Sequence, residues 1–90
     1  MDVAEILERI RSIPPGRVAA YSDITPHAPR RAGQVLSASL EPDLPWWRVV
    51  HADGSVTKGD RQKELLAAEG VLFGPSGRID MPRFRATFER

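Results

Sequence analysis

Tyr21-Ser22-Asp23-Ile24-Thr25-Pro26-His27-Ala28-Pro29-Arg30-Arg31-Ala32-Gly33-Gln34-Val35-Leu36 is the stretch on which the fold turns. Ser22 is placed to cap a single helical turn around Asp23 and Ile24. Pro26 and Pro29 keep that turn short, because proline cannot continue a helix but suits the first turn of a new one. The helix opened by Pro29 runs to about Leu40, with Ala32, Val35, Leu36 and Leu40 on its apolar face and Arg30, Gln34 and Ser37 on the other. Gly33 lies inside it. A helical glycine costs ~1 kcal/mol against alanine, so its presence points to something that approaches the backbone closely.

Outward from this pair, the pattern is equally regular. Asp2 caps a first helix with Val3, Ile6, Leu7, Ile10 and Ile13 at helical spacing, ended by Pro14, Pro15 and Gly16. Val18 to Tyr21 is a short extended piece. Beyond the Pro42–Pro45 loop, Arg48 to His51 reads as a strand, Asp53-Gly54 as a hairpin turn and Ser55 to Thr57 as the returning strand. Asp60 caps a further helix with Leu65, Leu66 and Ala68 inward, closed by Gly70. A small hairpin follows from Val71 to Phe73 and Arg78 to Met81 around Gly74-Pro75-Ser76-Gly77. Residues 82–90 form a loosely packed tail. This order predicts one α+β domain over residues 1–90, a winged helix-turn-helix-like unit with small β-hairpins.

Composition narrows the chemistry. Ninety residues, 41 % hydrophobic and 28 % charged, make one globular domain. Cysteine is absent, which removes disulfides, thiolate metal sites and any cysteine nucleophile. His27 and His51 lack the spacing of a zinc motif, so neither metal nor cofactor is predicted. No run is long enough for a membrane helix and the charged start is no signal peptide, which sets the expectation of a cytoplasmic protein without a membrane partner. The net charge is only +1, yet the chain from Ile24 to Leu40 contains no acid. A basic stripe there suits a polyanion, and equally a solvated helix face.

Specificity enters with Pro45-Trp46-Trp47-Arg48-Val49-Val50. Together with Ile13-Pro14-Pro15-Gly16-Arg17-Val18 and Ala68-Glu69-Gly70-Val71, it resembles the DNA-binding domain of the O6-alkylguanine-DNA alkyltransferases, over about Ile6 to Val71. That family reads Pro-Cys-His-Arg-Val in the first motif. The chain is most similar to its alkyltransferase-like branch, in which tryptophan replaces the acceptor cysteine. The resemblance implies a DNA-binding domain without the family's N-terminal ribonuclease-like domain. Trp46 stands at the acceptor position, Trp47 at that of the activating histidine, and Glu69 at that of the glutamate of the relay. Arg48 matches the motif arginine. Tyr21 matches the tyrosine that crowds the target phosphate, Arg30 the arginine that enters the vacated stack, and Gly33 a small residue of the recognition helix. Trp47 and Ser39 depart from the family, which keeps a polar residue and an asparagine there. The segment between Tyr21 and Arg30 is shorter than in the family.

Two adjacent tryptophans cannot face the same way in an extended stretch, so one packs inside while the other lines a surface or pocket. The resemblance assigns the pocket to Trp46. Arg48 either hydrogen-bonds the Pro45 turn or pairs with Glu69, because a buried glutamate wants a partner. Arg30 and Arg31 both open the recognition helix. The resemblance implies that one fills the hole left by an extruded base while the other meets phosphate; the alternative is two ordinary phosphate contacts. The predicted DNA-binding residues are therefore Tyr21, Arg30, Arg31, Gly33, Gln34 and Ser37. The predicted lesion pocket comprises Trp46, Arg48, Tyr21, Lys58 and Arg61. Alkyl transfer needs a nucleophile that this chain lacks, so the resemblance implies a protein that binds O6-alkylguanine in duplex DNA without catalysis and flags it for nucleotide excision repair; with no dimerisation helix evident, a monomer is expected. A sequence-specific winged-helix transcription factor and a protein-docking module are the competing readings of the same pattern.

Overall fold

The computed structural model describes residues 1–56 and 58–88. Helix α1 spans Val3–Arg11, and the Asp2 carboxylate accepts from the Glu5 amide at 2.9 Å. Strand β1 is Ala19–Ala20, α2 is Tyr21–Ile24 and α3 is Pro29–Ala38. A 3-10 turn at Trp46–Arg48 leads into β2, Val49–Val50; α4 is Gly59–Ala68 and α5 is Met81–Phe84. The domain is thus α+β, with α2 packed on both α1 and α3. Among the described residues no helix is long and apolar enough to cross a membrane, and no group of three or more histidine or acidic side chains could hold a metal ion.

The two short strands divide the core. β1 and β2 run parallel, with Ala19 beside Val49 and Ala20 beside Val50. Side chains alternate across a strand. Ala19 and Val49 therefore face a cluster of Ile6, Ile10, Ile13, Ile24, Ala32, Val35 and Leu44, while Val18, Ala20 and Val50 face Leu66, Val71, Ile79, Met81 and Phe84. One cluster supports α2 and α3. The other supports the 3-10 turn and α4.

Several expectations change in detail. The Asp53-Gly54 turn exists, with the Gly54 amide donating to the His51 carbonyl at 2.9 Å and the His51 amide to the Ser55 carbonyl at 3.0 Å. No strand returns along Ser55 and Val56, and Thr57 lies outside the described residues. β2 instead pairs with β1, and the chain at Gly54 is held against Ile79: its carbonyl accepts the Ile79 amide at 2.9 Å, and a Cβ there would fall 2.3 Å from the Ile79 oxygen. The Gly74–Gly77 turn is present, closed by an antiparallel bridge between Phe73 and Ile79. Helix α3 stops at Ala38, leaving Leu40 96 % exposed rather than on its apolar face.

Two caps also differ. The α2 cap position is Ala20, not Ser22, and Asp23 reaches back to accept the Ala20 amide at 2.9 Å. Asp60 lies inside α4; the cap position is Lys58, whose amide donates to Gln62 Oε1 at 3.1 Å. At the other end of α4, the Val71 amide bonds the Leu66 carbonyl and the Gly70 amide that of Ala67, with Gly70 at φ +88°. That is the helix stop only glycine adopts without strain. The tail docks further than its alternation of arginine and phenylalanine suggests. Phe84 is buried, the Val18 amide donates to its carbonyl at 2.9 Å, and Ala86 donates to Val18 at 2.7 Å. Phe88 packs on the first cluster beneath the Arg9 guanidinium.

Candidate nucleic-acid interface

Helix α2 places Tyr21, and three contacts hold α2. Asp23 accepts the Ala20 amide, and Arg85 from the tail donates to the same carboxylate through Nε at 2.8 Å and Nη2 at 2.6 Å. Arg9 Nη1 donates to the Asp23 carbonyl at 3.2 Å. Partial burial pushes the Asp23 carboxyl up, but the Arg85 hydrogen bonds, the Ala20 amide and the guanidinium charge outweigh it and hold it below the usual carboxylate range.

Beside Tyr21, α3 opens with Pro29, Arg30 and Arg31, and both arginines are exposed. Cations at a helix N-terminus oppose its dipole, and no acid stands in the first turn. The pair weakens the helix where it stands. A local rule broken without a gain in stability marks a functional position. Gly33 comes one turn later, and a methyl built on it would lie 3.7 Å from Tyr21 Cε1, an ordinary contact. Nothing inside the fold requires glycine at that point. What it provides is a low helix surface facing outward.

These elements form one wall of an open groove of about 850 Å³, lined by Tyr21, Pro29, Arg30, Gly33, Gln34, Leu36, Ser37 and Ala38, with His51 and Lys58 completing it. The Tyr21 and His51 rings lie 5.2 Å apart at 47°. No lining residue is acidic, and two are cationic. A groove of this size with arginine and lysine at its edge and apolar carbon on its floor suits an anionic polymer that carries flat apolar groups.

Of the sequence-predicted residues, Tyr21, Arg30, Gly33, Gln34, Ser37 and Lys58 come together here, whereas Arg31, Trp46, Arg48 and Arg61 do not line the groove. Arg31 is exposed on the same helix. Arg61 is exposed on α4, 3.9 Å from Glu64. Trp46 is half-buried in the 3-10 turn, edge-on to Trp47 with centroids 6.0 Å apart. Trp47 packs against the second cluster, with the Arg48 guanidinium 5.2 Å over its ring. Arg48 turns inward to Glu69 and to the Ile13 carbonyl. The Arg48 hydrogen bonds hold the Glu69 carboxyl below its usual range against the opposing effect of burial. Trp47 Nε1 is buried and completes no hydrogen bond among the described residues.

Two residues that shape this region carry no motif. Gln62 is 1 % exposed; its Nε2 donates to the carbonyls of Trp47 and Val49, each at 3.0 Å, while its Oε1 receives the Lys58 amide. It locks the 3-10 turn, β2 and the start of α4 together. Its spacing of four from Leu66 places it on the buried face, which is the signal the sequence held. His51 follows directly on β2 and owes its position to that strand.

The family model described as the 6-O-methylguanine DNA methyltransferase, DNA binding domain, matches residues 3–71. The chain is 42% identical over 86 residues to a DNA base-flipping protein of Escherichia coli K12, across 84% of this chain and 67% of that one. It is 33% identical to a DNA base-flipping protein of Vibrio parahaemolyticus, across 92% and 93%. Alkyltransferase-like protein 1 of Schizosaccharomyces pombe is 32% identical, across 74% and 73%. Among solved structures, S. pombe Atl1 in complex with damaged DNA containing O6-carboxymethylguanine superposes with a TM-score of 0.78 at 25% identity, over 96% of this chain and 94% of that one.

Proposed function

The chain belongs to the family of the 6-O-methylguanine DNA methyltransferase DNA-binding domain, and from that premise we propose that it recognises O6-alkylguanine in duplex DNA by turning the damaged nucleotide out of the stack. The observation that carries this reading is the acid-free groove in which Tyr21, Arg30 and Gly33 share one wall, in a chain without cysteine. Helices α2 and α3 act as the helix-turn-helix pair, and the turn from His51 to Val56 takes the place of a wing. Gly33 lets α3 lie close to the DNA. Arg31, Gln34 and Ser37 hold the phosphate backbone.

Extruding a nucleotide costs a few kcal/mol, least for a damaged and badly paired base. Tyr21 crowds the phosphate to drive the rotation, and Arg30 fills the vacated stack with its planar guanidinium. Trp46 offers half-exposed indole surface to the alkyl group, with Lys58 and Arg61 at the mouth. Arg48 shapes the pocket from behind, through Glu69 and Ile13. No transfer follows. Alkyl transfer requires a nucleophile with an activating base, the acceptor position holds Trp46, and the Glu69 carboxylate is occupied by Arg48. The bound lesion is therefore handed on, to nucleotide excision repair in the cytoplasm, by a protein acting as a monomer.

Fluorescence of 2-aminopurine at the target position, together with the intact mass of the protein after incubation with O6-methylguanine duplex, tests the proposal. Binding that brightens the probe and leaves the protein mass unchanged is the predicted result. A mass gain of one methyl group, or a probe that stays quenched under saturating protein, contradicts it.

A further inference from the structure

We propose that His51 is a DNA-contacting residue whose imidazole donates a hydrogen bond to a backbone phosphate flanking the extruded nucleotide. The inference rests on the reading that this groove holds DNA. Three observations carry it. The ring of His51 lies 5.2 Å from that of Tyr21, tilted by 47°, so whatever Tyr21 touches lies within reach of His51. The residue is half-buried, so its ring is partly fixed before any ligand arrives. Among the described residues, no hydrogen bond inside the fold uses its side chain, whereas its backbone amide and carbonyl are both engaged, with Ser55 and Gly54.

Position decides between phosphate and base. α3 supplies the groove wall that carries Arg30, Gly33 and Gln34, while His51 and Lys58 come from the segment between β2 and α4. If α3 lies in a DNA groove, the segment flanking it faces the sugar–phosphate ridge. There an N–H donor next to a lysine finds phosphate oxygen. The nearby carboxylate of Asp53 does not compete for this role. It accepts from the Ser55 amide and hydroxyl and lies 3.7 Å from Arg78. Aromatic packing against Tyr21 and donation to phosphate are separable properties of the ring, which makes the contact testable.

The test compares wild type, His51→Phe and His51→Gln on O6-methylguanine duplex, with ordinary phosphates and with neutral methylphosphonates on both sides of the target. His51→Phe keeps a ring against Tyr21 and removes both nitrogens, whereas His51→Gln keeps a donor. On ordinary DNA, His51→Phe loses about tenfold in affinity, the scale of one hydrogen bond to a charged group, and His51→Gln stays within a few-fold of wild type. On methylphosphonate DNA, His51→Phe and wild type bind alike. Wild-type affinity in His51→Phe on ordinary DNA, or an undiminished loss on methylphosphonate DNA, overturns the proposal. Absence of lesion preference in the wild type contradicts the underlying function instead, and the methylphosphonate comparison still decides on His51.

Discussion

Arg48 and Glu69, separated by 21 positions, are joined beneath the tryptophan turn: Nε donates to Oε1 at 3.0 Å and Nη2 to Oε2 at 2.5 Å. The third arm, Nη1, donates to the Ile13 carbonyl at 2.9 Å. One guanidinium thus fastens the end of α4 and the segment after α1 to the turn that carries Trp46 and Trp47. The side chains are 12 % and 15 % exposed, so water screens the pair weakly.

Breaking this pair from one side leaves a charge buried without its partner. Glu69→Ala should therefore lower unfolding stability by about 2 kcal/mol, read from urea denaturation. Its sign with pH is fixed. Glu69 and Asp23 both titrate below their ordinary ranges in the fold. Their contributions are present in full above the unfolded carboxylate pKa, ~4, and are lost as pH falls through the lower folded values. Wild type should lose stability on acidification more steeply than Glu69→Gln, which has no proton to bind at that site. Parallel curves would contradict the assignment.

Gln62 should prove as important to the fold as any motif residue. Replacing it by leucine removes the donor to the Trp47 and Val49 carbonyls and the acceptor for Lys58. The expected loss is about 2–3 kcal/mol, because buried polar groups are left unsatisfied. Unchanged urea midpoints would show that water replaces the amide.

Gly33 separates stability from binding. Alanine fits beside Tyr21 without a clash and improves helix propensity, so Gly33→Ala should raise stability by up to ~1 kcal/mol. On the groove side the added methyl lifts DNA away from α3, and affinity should fall. A gain in both properties would place the DNA elsewhere.

The docked tail is a further handle. Arg85 grips the carboxylate that caps α2, so Arg85→Ala should loosen Tyr21 and lower 2-aminopurine brightening more than it lowers binding to undamaged duplex. Equal losses in both assays would make Arg85 a general structural residue.

Arg30 and Arg31 predict a contrast within one turn of helix. Stacking in place of a base is worth ~1–3 kcal/mol, so Arg30→Ala should cost ten- to hundredfold in lesion affinity by that scale, and much less on undamaged DNA. Arg31→Ala should weaken both duplexes alike and lower the salt slope by about one phosphate, ~0.9 in log–log terms. The reversed pattern would make Arg31 the inserted side chain.

Helical elements were legible because their signals are local. Asp2, the proline pair around residue 15, Pro29 and Gly70 mark ends that a single turn of chain enforces. The hairpin after His51 was misread because Asp53-Gly54 makes its turn locally, while the partner of β2 is chosen by the distant Ala19–Ala20. Leu40 satisfied helical periodicity but lies beyond the end of the helix. In the groove, Tyr21, Arg30, Gly33 and Lys58 were readable from family motifs and charge. His51 was not, since its place depends on strand pairing. Gln62 was not either, since a glutamine on a buried face reads as surface until its carbonyl partners are known.

Competition between duplexes decides whether the protein recognises a lesion that it does not repair. O6-methylguanine duplex and its undamaged twin of the same sequence should compete for the protein at two salt concentrations. The damaged duplex should win several-fold at both, while absolute affinities fall with salt as the phosphate contacts weaken. Equal competition by the two duplexes would contradict it.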